Sequence, residues 1–204
     1  MDTALSLVTF IIAIGVHEAA HALVAYRLGD TTARSAGRLT LNPLAHIDPL
    51  GTIVLPALLV LTGFPVVFGW AKPVPVNPLN FESPRKGMMM TSAAGPAANF
   101  ITACIFGFIF RSFLSAGGDL PRILVMFCLY AVFLNVVIGI FNLIPVPPLD
   151  GSGILAGILP PGTAAAYLRF SRYGFLAVAA LLYLGLFEKI IMPAAQVIMR
   201  FLTG

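Results

Sequence analysis

Three of the side chains costliest to bury in hydrocarbon, His17, Glu18 and His21, fall within five positions of an otherwise apolar stretch. His17 and His21 are four residues apart, so on a helix their imidazoles share one face and can reach one metal ion at about 2.0 to 2.1 Å. Glu18 is rotated by about 100° from His17. Its carboxylate therefore lies beside such an ion rather than on it, where it can take a proton from a water on the metal. The spacing is HExxH, and between Asp2 and Arg27 Glu18 is the one charged residue. A solvated helix carrying an ion pair, the bland reading of the same five residues, has no charged face here to belong to.

A hydrolytic metal site needs a third protein ligand and an open position. The extension that brings a third histidine from the same helix requires Gly at 24 and His at 27, and this chain has Val24 and Arg27. His46, Asp48, Glu82 and Asp150 remain as candidates. Asp150 closes a run in which Pro145, Pro147 and Pro148 end an apolar segment and leave irregular backbone beside a carboxylate. Irregular backbone at membrane depth is tolerated where it lines a cavity or packs on protein.

The elements that must position these groups follow from composition. The chain has 204 residues, 59% hydrophobic and only 10% charged, with a mean hydropathy of +0.96. A soluble domain carries about a quarter charged residues. The deficit runs the whole length, which excludes a secreted domain behind a signal peptide, and disorder, and predicts an all-α polytopic membrane protein seated in a lipid bilayer. A net charge of +4 without a basic run excludes nucleic acid as a partner. Cys104 and Cys128 lie in apolar stretches and read as small buried hydrophobes. About four transmembrane helices are expected: Leu5 to Leu28, Met88 to Phe110, Pro121 to Leu143, and a stretch from Tyr173 to Phe187. Leu50 to Phe68 is apolar too, but Gly51, Pro56, Gly63 and Pro65 interrupt it, so it reads as re-entrant or broken. Gly69 to Pro78, with alternating prolines, reads as an extended strand segment. The tail from Glu188 either splits at Pro193 or continues the preceding span. The whole, 1–204, reads as one domain, with a catalytic core over about 4–160 and helical segments over about 165–204.

HEAAH on an apolar helix, AAGPAANF from Ala93 to Phe100, and NLIPVPPLDG from Asn142 to Gly151 together resemble the three signature blocks of the site-2 protease family of intramembrane zinc metalloproteases. The resemblance implies His17, His21 and Asp150 as ligands of one Zn2+ per chain, Glu18 as general base, and Asn142 as a donor at the scissile carbonyl. It places Asn99 at the edge of the site as a substrate contact, or as a helix-interface hydrogen-bonding residue. The implied function is an intramembrane endopeptidase acting on a membrane-protein substrate with a transmembrane segment. A metal transporter using the same His/His/Asp cluster is an alternative from another class, disfavoured because it has no use for a carboxylate beside the metal. A catalytically inactive scaffold of the family is the other.

The two helices that carry His17/His21 and lead to Asp150 must exit on the same side. Leu50 to Phe68 therefore adds no net crossing. Arg27, Arg34, Arg38, Lys72, Arg85, Lys86, Arg169 and Arg172 then collect on one side and Arg111 and Arg122 on the other, so the positive-inside rule sets the site near the cytoplasmic face. A minimal multi-pass chain suits a prokaryotic plasma membrane, as a monomer or a homo-oligomer. Val74 and Val76, in the extended segment, are expected to bind unwound substrate through their N–H groups, or to belong to a plain connector. His46 is expected to be an interfacial hydrogen-bonding residue, or an alternative ligand or gate.

Overall fold

The computed structural model describes residues 3–63, 72–115 and 121–204. An uninterrupted apolar run gives α1, Thr3–Arg27, whose 25 residues span about 37 Å at 1.5 Å each. Gly29, at φ +102°, stops it. The Gly29 N–H returns to the Tyr26 carbonyl (3.1 Å) and the Asp30 N–H to the Ala25 carbonyl (2.9 Å), the paired bonds of a Schellman cap.

Short pieces follow: α2 (Thr32–Ser35), a 3-10 turn (Pro43–His46), a π turn (Pro49–Val54), α3 (Leu55–Leu61) and a 3-10 turn (Pro78–Asn80). The first 3-10 turn reaches back along α1 to its middle, where Leu41 and Pro43 lie against Gly15. Asn42, Asp48 and Asn77 each cap the turn that follows with a side-chain oxygen. Of the stretch expected to be broken or re-entrant, 64–68 lies outside the described residues. The described part holds no element able to cross about 30 Å, since the seven residues of α3 span about 10 Å. In the proline-rich segment, 72–77 is non-helical and joins no β-ladder, and 69–71 lies outside the described residues.

Ser83 and Pro84 open α4 (Pro84–Ser115), and Pro121 precedes α5 (Arg122–Asn142). Contacts fix their directions. His17 and His21 of α1 meet Asn99 and Thr91 of α4, so those two run antiparallel. Asn99 meets Asn135, and Phe106 packs edge-on against Phe127 at 5.6 Å, so α4 and α5 are antiparallel too. Hence α1 and α5 point the same way, and both C-terminal ends share one side, as the meeting of His17, His21 and Asp150 requires.

Beyond the cis Pro147–Pro148 bond come α6 (Asp150–Ile158), α7 (Pro161–Leu168), a 3-10 turn (Arg169–Tyr173) and α8 (Gly174–Tyr183). A π turn (Phe187–Ile191) leads into α9 (Met192–Thr203). The tail breaks at Gly185 (φ +87°) with a 66° bend, not at Pro193, which lies in the first turn of α9. Proline is tolerated there because that turn's N–H groups lack helical partners anyway. α9 packs on α4 and α5 around Ala103, Val132, Val136, Ile191 and Ala195.

Helix contacts are made by small residues: Ala13, Ala22, Ala25 and Ala103 are all 0% exposed, while Ile101, Ile105, Phe108 and Leu114 face outward. That is the inversion expected when lipid, as apolar as leucine, is the solvent and close backbone approach drives association. Cys128 is buried as expected, but Cys104, expected to be buried too, is exposed. Among the described residues three helices, α1, α4 and α5, are each long and apolar enough to span, and the bent α7-to-α9 pair makes up to four.

Candidate metal centre

His17 and His21 lie two-thirds of the way along α1, 6% and 9% exposed, facing α4. Nδ1–H of His17 donates to Asn99 Oδ1 (2.6 Å), and Nδ1–H of His21 donates to the Thr91 carbonyl (2.7 Å). With both Nδ1 protons committed, the neutral rings present their Nε2 lone pairs to the same side. Asp150 Oδ2 meets them there, 3.0 Å from His17 Nε2 and 3.2 Å from His21 Nε2. These separations are close to the edge of about 3.3 Å between ligands held tetrahedrally at about 2.0 to 2.1 Å.

Asp150 is delivered by the end of α5. The prolines after Asn142 end that helix and turn the chain back, and Asp150 becomes the first residue of α6, where the helix dipole favours a carboxylate. The turn is tight: a Cβ at Gly151 would lie 2.5 Å from the Ile144 carbonyl oxygen.

Two further observations fit a cation at the convergence. Asp150 Oδ2 is fully buried and makes no hydrogen bond, so two lone-pair nitrogens and an anionic oxygen face one another. On the opposite wall, a Cβ at Gly95 of α4 would lie 2.6 Å from both Cε1 and Nε2 of His17, and would also collide with His21 Nε2. Only glycine leaves that volume open. Among the described residues, His17, His21 and Asp150 form the one group of this kind able to hold a metal ion.

Glu18 Oε2 accepts the N–H of Val74 (3.1 Å), which ties the proline-rich segment to the face of α1 next to the cluster. The Val74 N–H is thus taken up by Glu18 in this structure. Val76 follows in the same coil. Asn99 is 0% exposed and lies between helices, with His17 of α1 and Asn135 of α5 as its side-chain partners. Asn142 lies half-buried at the end of α5 and donates one amide N–H to the Ile138 carbonyl (3.1 Å). His46 is outside the cluster: 2% exposed, with Nε2 on the Thr40 carbonyl (3.0 Å). Asp48 caps the π turn, and Glu82 is exposed.

Asn135 and Asp30 escaped the sequence reading. An asparagine inside a span carries the same burial cost that singled out His17, so Asn135 could have been flagged.

The profile of Peptidase family M50 matches residues 113–185, which include Asp150. YwhC of Bacillus subtilis, named as a candidate zinc metalloprotease, is 40% identical over 190 residues, 91% of this chain and 83% of that one. Rip2 of Mycolicibacterium smegmatis, named likewise, is 33% identical over 175 residues, 85% of this chain and 64% of its own. Rip2 of Mycobacterium tuberculosis is 27% identical over 172 residues, with 84% and 64% covered. No solved structure matches the chain. With 40% identity across nine-tenths of its length, and the matching profile over its Asp150 region, the chain belongs to peptidase family M50, the site-2 protease family of zinc metalloproteases.

Proposed function

We propose that this protein is an intramembrane zinc endopeptidase that cuts transmembrane or juxtamembrane segments of other membrane proteins. The observation carrying this reading is the convergence of His17, His21 and Asp150 between helices of membrane-spanning length, with Glu18 beside them. In it, the three residues hold one zinc. Zinc, when bound, supplies Lewis acidity, lowering the pKa of water and drawing charge from a carbonyl oxygen.

Glu18 takes the proton of the attacking water and passes it to the leaving amine, its carboxylate held in place by the Val74 N–H. Asn142 offers its second amide N–H to the developing oxyanion, the first being on Ile138. Pro73 and Pro75 keep the segment beside Glu18 out of a helix, so an unwound substrate has an extended neighbour there, Val76 included. Basic residues gathered at the Arg27 end of the bundle favour that end as cytoplasmic, in a cell membrane.

The test compares purified wild type, His17→Ala and Glu18→Gln. Wild type should hold close to one zinc per chain, His17→Ala should lose it, and Glu18→Gln should retain it. In membranes, peptides ending within predicted spans should appear with wild type and vanish with Glu18→Gln. Cleavage by Glu18→Gln at the wild-type rate would overturn the role given to the carboxylate, and wild type without zinc would overturn the metal reading.

A further inference from the structure

Behind His17, away from the convergence, lies a chain of buried amides. Asn99 Oδ1 faces His17 Nδ1, and Asn99 Nδ2 donates both to the Ala13 carbonyl (3.1 Å) and to Asn135 Oδ1 (2.8 Å). Asn135 Nδ2 in turn donates to the Ala131 carbonyl one turn earlier in α5 (2.8 Å). Asn99 and Asn135 are 0% and 1% exposed, so bulk water does not reach these amides. The direction of this chain is set by its carbonyl ends. A backbone carbonyl accepts and never donates, so Ala131 turns the Asn135 nitrogen toward itself and its oxygen toward Asn99. That oxygen and the Ala13 carbonyl then hold the Asn99 nitrogen, and the Asn99 oxygen is left facing His17.

We infer that Asn135 is a positioning residue for the metal centre: through Asn99 it fixes the proton of His17 on Nδ1 and leaves Nε2 bare for the ion. If Asn99 turned over, its N–H groups would face Nδ1 and the ring would carry its proton on Nε2, the atom 3.0 Å from Asp150. Such a ring cannot coordinate a metal through that atom. Asn135 doubles the number of acceptors that disfavour the turned-over amide. It also links the first histidine to α5, the helix that delivers Asp150, so that the two sides of the centre share one hydrogen-bonded chain. Thr91 does the corresponding work for His21 with a main-chain oxygen, which cannot turn over and needs no second residue.

The inference rests on the zinc reading and is tested by zinc affinity, read by chelator competition on protein purified in detergent. Asn135→Leu removes the acceptor and leaves a buried Asn99 N–H unmatched. Losing an outer partner of a metal-bound histidine costs 10- to 100-fold in affinity, and a partner one step further out should cost about 10-fold. Asn135→Asp, as the neutral acid, keeps an acceptor oxygen toward Asn99 and an O–H toward the Ala131 carbonyl, and should stay within about 3-fold of wild type. In an Asn99→Ala background, Asn135→Leu should cost less than about 2-fold, because the effect travels through Asn99. A loss of equal size in both backgrounds, or a fall in Tm with zinc affinity unchanged, would show a packing residue and overturn the inference. Wild type that bound no zinc would overturn it together with the reading beneath it, whereas zinc-binding wild type with an indifferent Asn135→Leu would overturn it alone.

Discussion

Imidazole spacing explains only half of the centre at the scale of single residues. Four residues along α1 bring His17 and His21 to one face, but an ion needs empty space as well as ligands, and the space belongs to Gly95 on the neighbouring helix. Adding one methyl group there forces either the rings or α4 to move. Overpacking of this kind costs about 1 to 3 kcal/mol. Gly95→Ala should therefore weaken zinc binding by about 5- to 150-fold in a competition titration. Gly162→Ala, where a new Cβ meets nothing within 4 Å, should leave it unchanged. Equal affinities for Gly95→Ala and wild type would mean that the ion does not sit between α1 and α4.

Between elements, the decisive joint is the one after α1. Asp30 is 0% exposed and gathers four donors: the Thr32 N–H and hydroxyl, the Asn80 amide and the Asn77 N–H. The Asn77 bond (2.7 Å) ties the far end of the 72–77 segment to the cap of α1, and the Val74 bond to Glu18 ties its middle. Burial pushes the Asp30 carboxyl upward, but the hydrogen bonds from Thr32, Asn80 and Asn77 outweigh it and hold the group below its ordinary value. A carboxyl with a depressed folded value adds stability above its unfolded pKa of about 3.9, and that contribution disappears as the pH falls through the folded value. Asp30→Asn should thus lower the Tm at neutral pH, and the gap to wild type should close as the pH drops below about 4. A gap that stayed constant down to strong acid would show that the charge of Asp30 contributes nothing.

The arrangement of the whole molecule rests on direction. Because α1 and α4 are antiparallel, Ser35, just past the end of α1, and Glu82, just before α4, should lie on one side of the membrane and Ser115 on the other. In a background with Cys104 and Cys128 replaced, Ser35→Cys and Glu82→Cys should react with a membrane-impermeant thiol reagent from the same side, and Ser115→Cys from the opposite one. All three positions are exposed. Labelling of Ser35→Cys and Glu82→Cys from opposite sides would mean that the stretch around α3 crosses, and the helices carrying His17 and leading to Asp150 could not then end together.

Much of this was legible in the amino-acid order because it depends on local physics. Apolar runs of about 20 residues fix α1, α4 and α5, since unpaired backbone polar groups cannot be left in hydrocarbon. The i, i+4 period fixes the shared face of His17 and His21. The need for His17, His21 and Asp150 to meet set the relative direction of α1 and α5, and counting crossings then required the stretch between α1 and α4 to add none. What the order could not fix were pairings across distance. His46 and Asp150 were both available as a third ligand, and only packing separated them, burying one against the Thr40 carbonyl and setting the other at the start of α6. Val74 read as a donor to a peptide or as part of a connector, and Asn99 as a substrate contact or an interface residue; which groups they meet here is decided by the faces α1, α4 and the 72–77 segment turn toward one another. The break at Gly185 rather than Pro193 is of the same kind, because a proline signals that a helix cannot continue through it and is silent about one that begins there. Sequence carries the periods of single elements, and a side chain's partner depends on how those elements are rotated about their axes, which the tertiary structure alone decides.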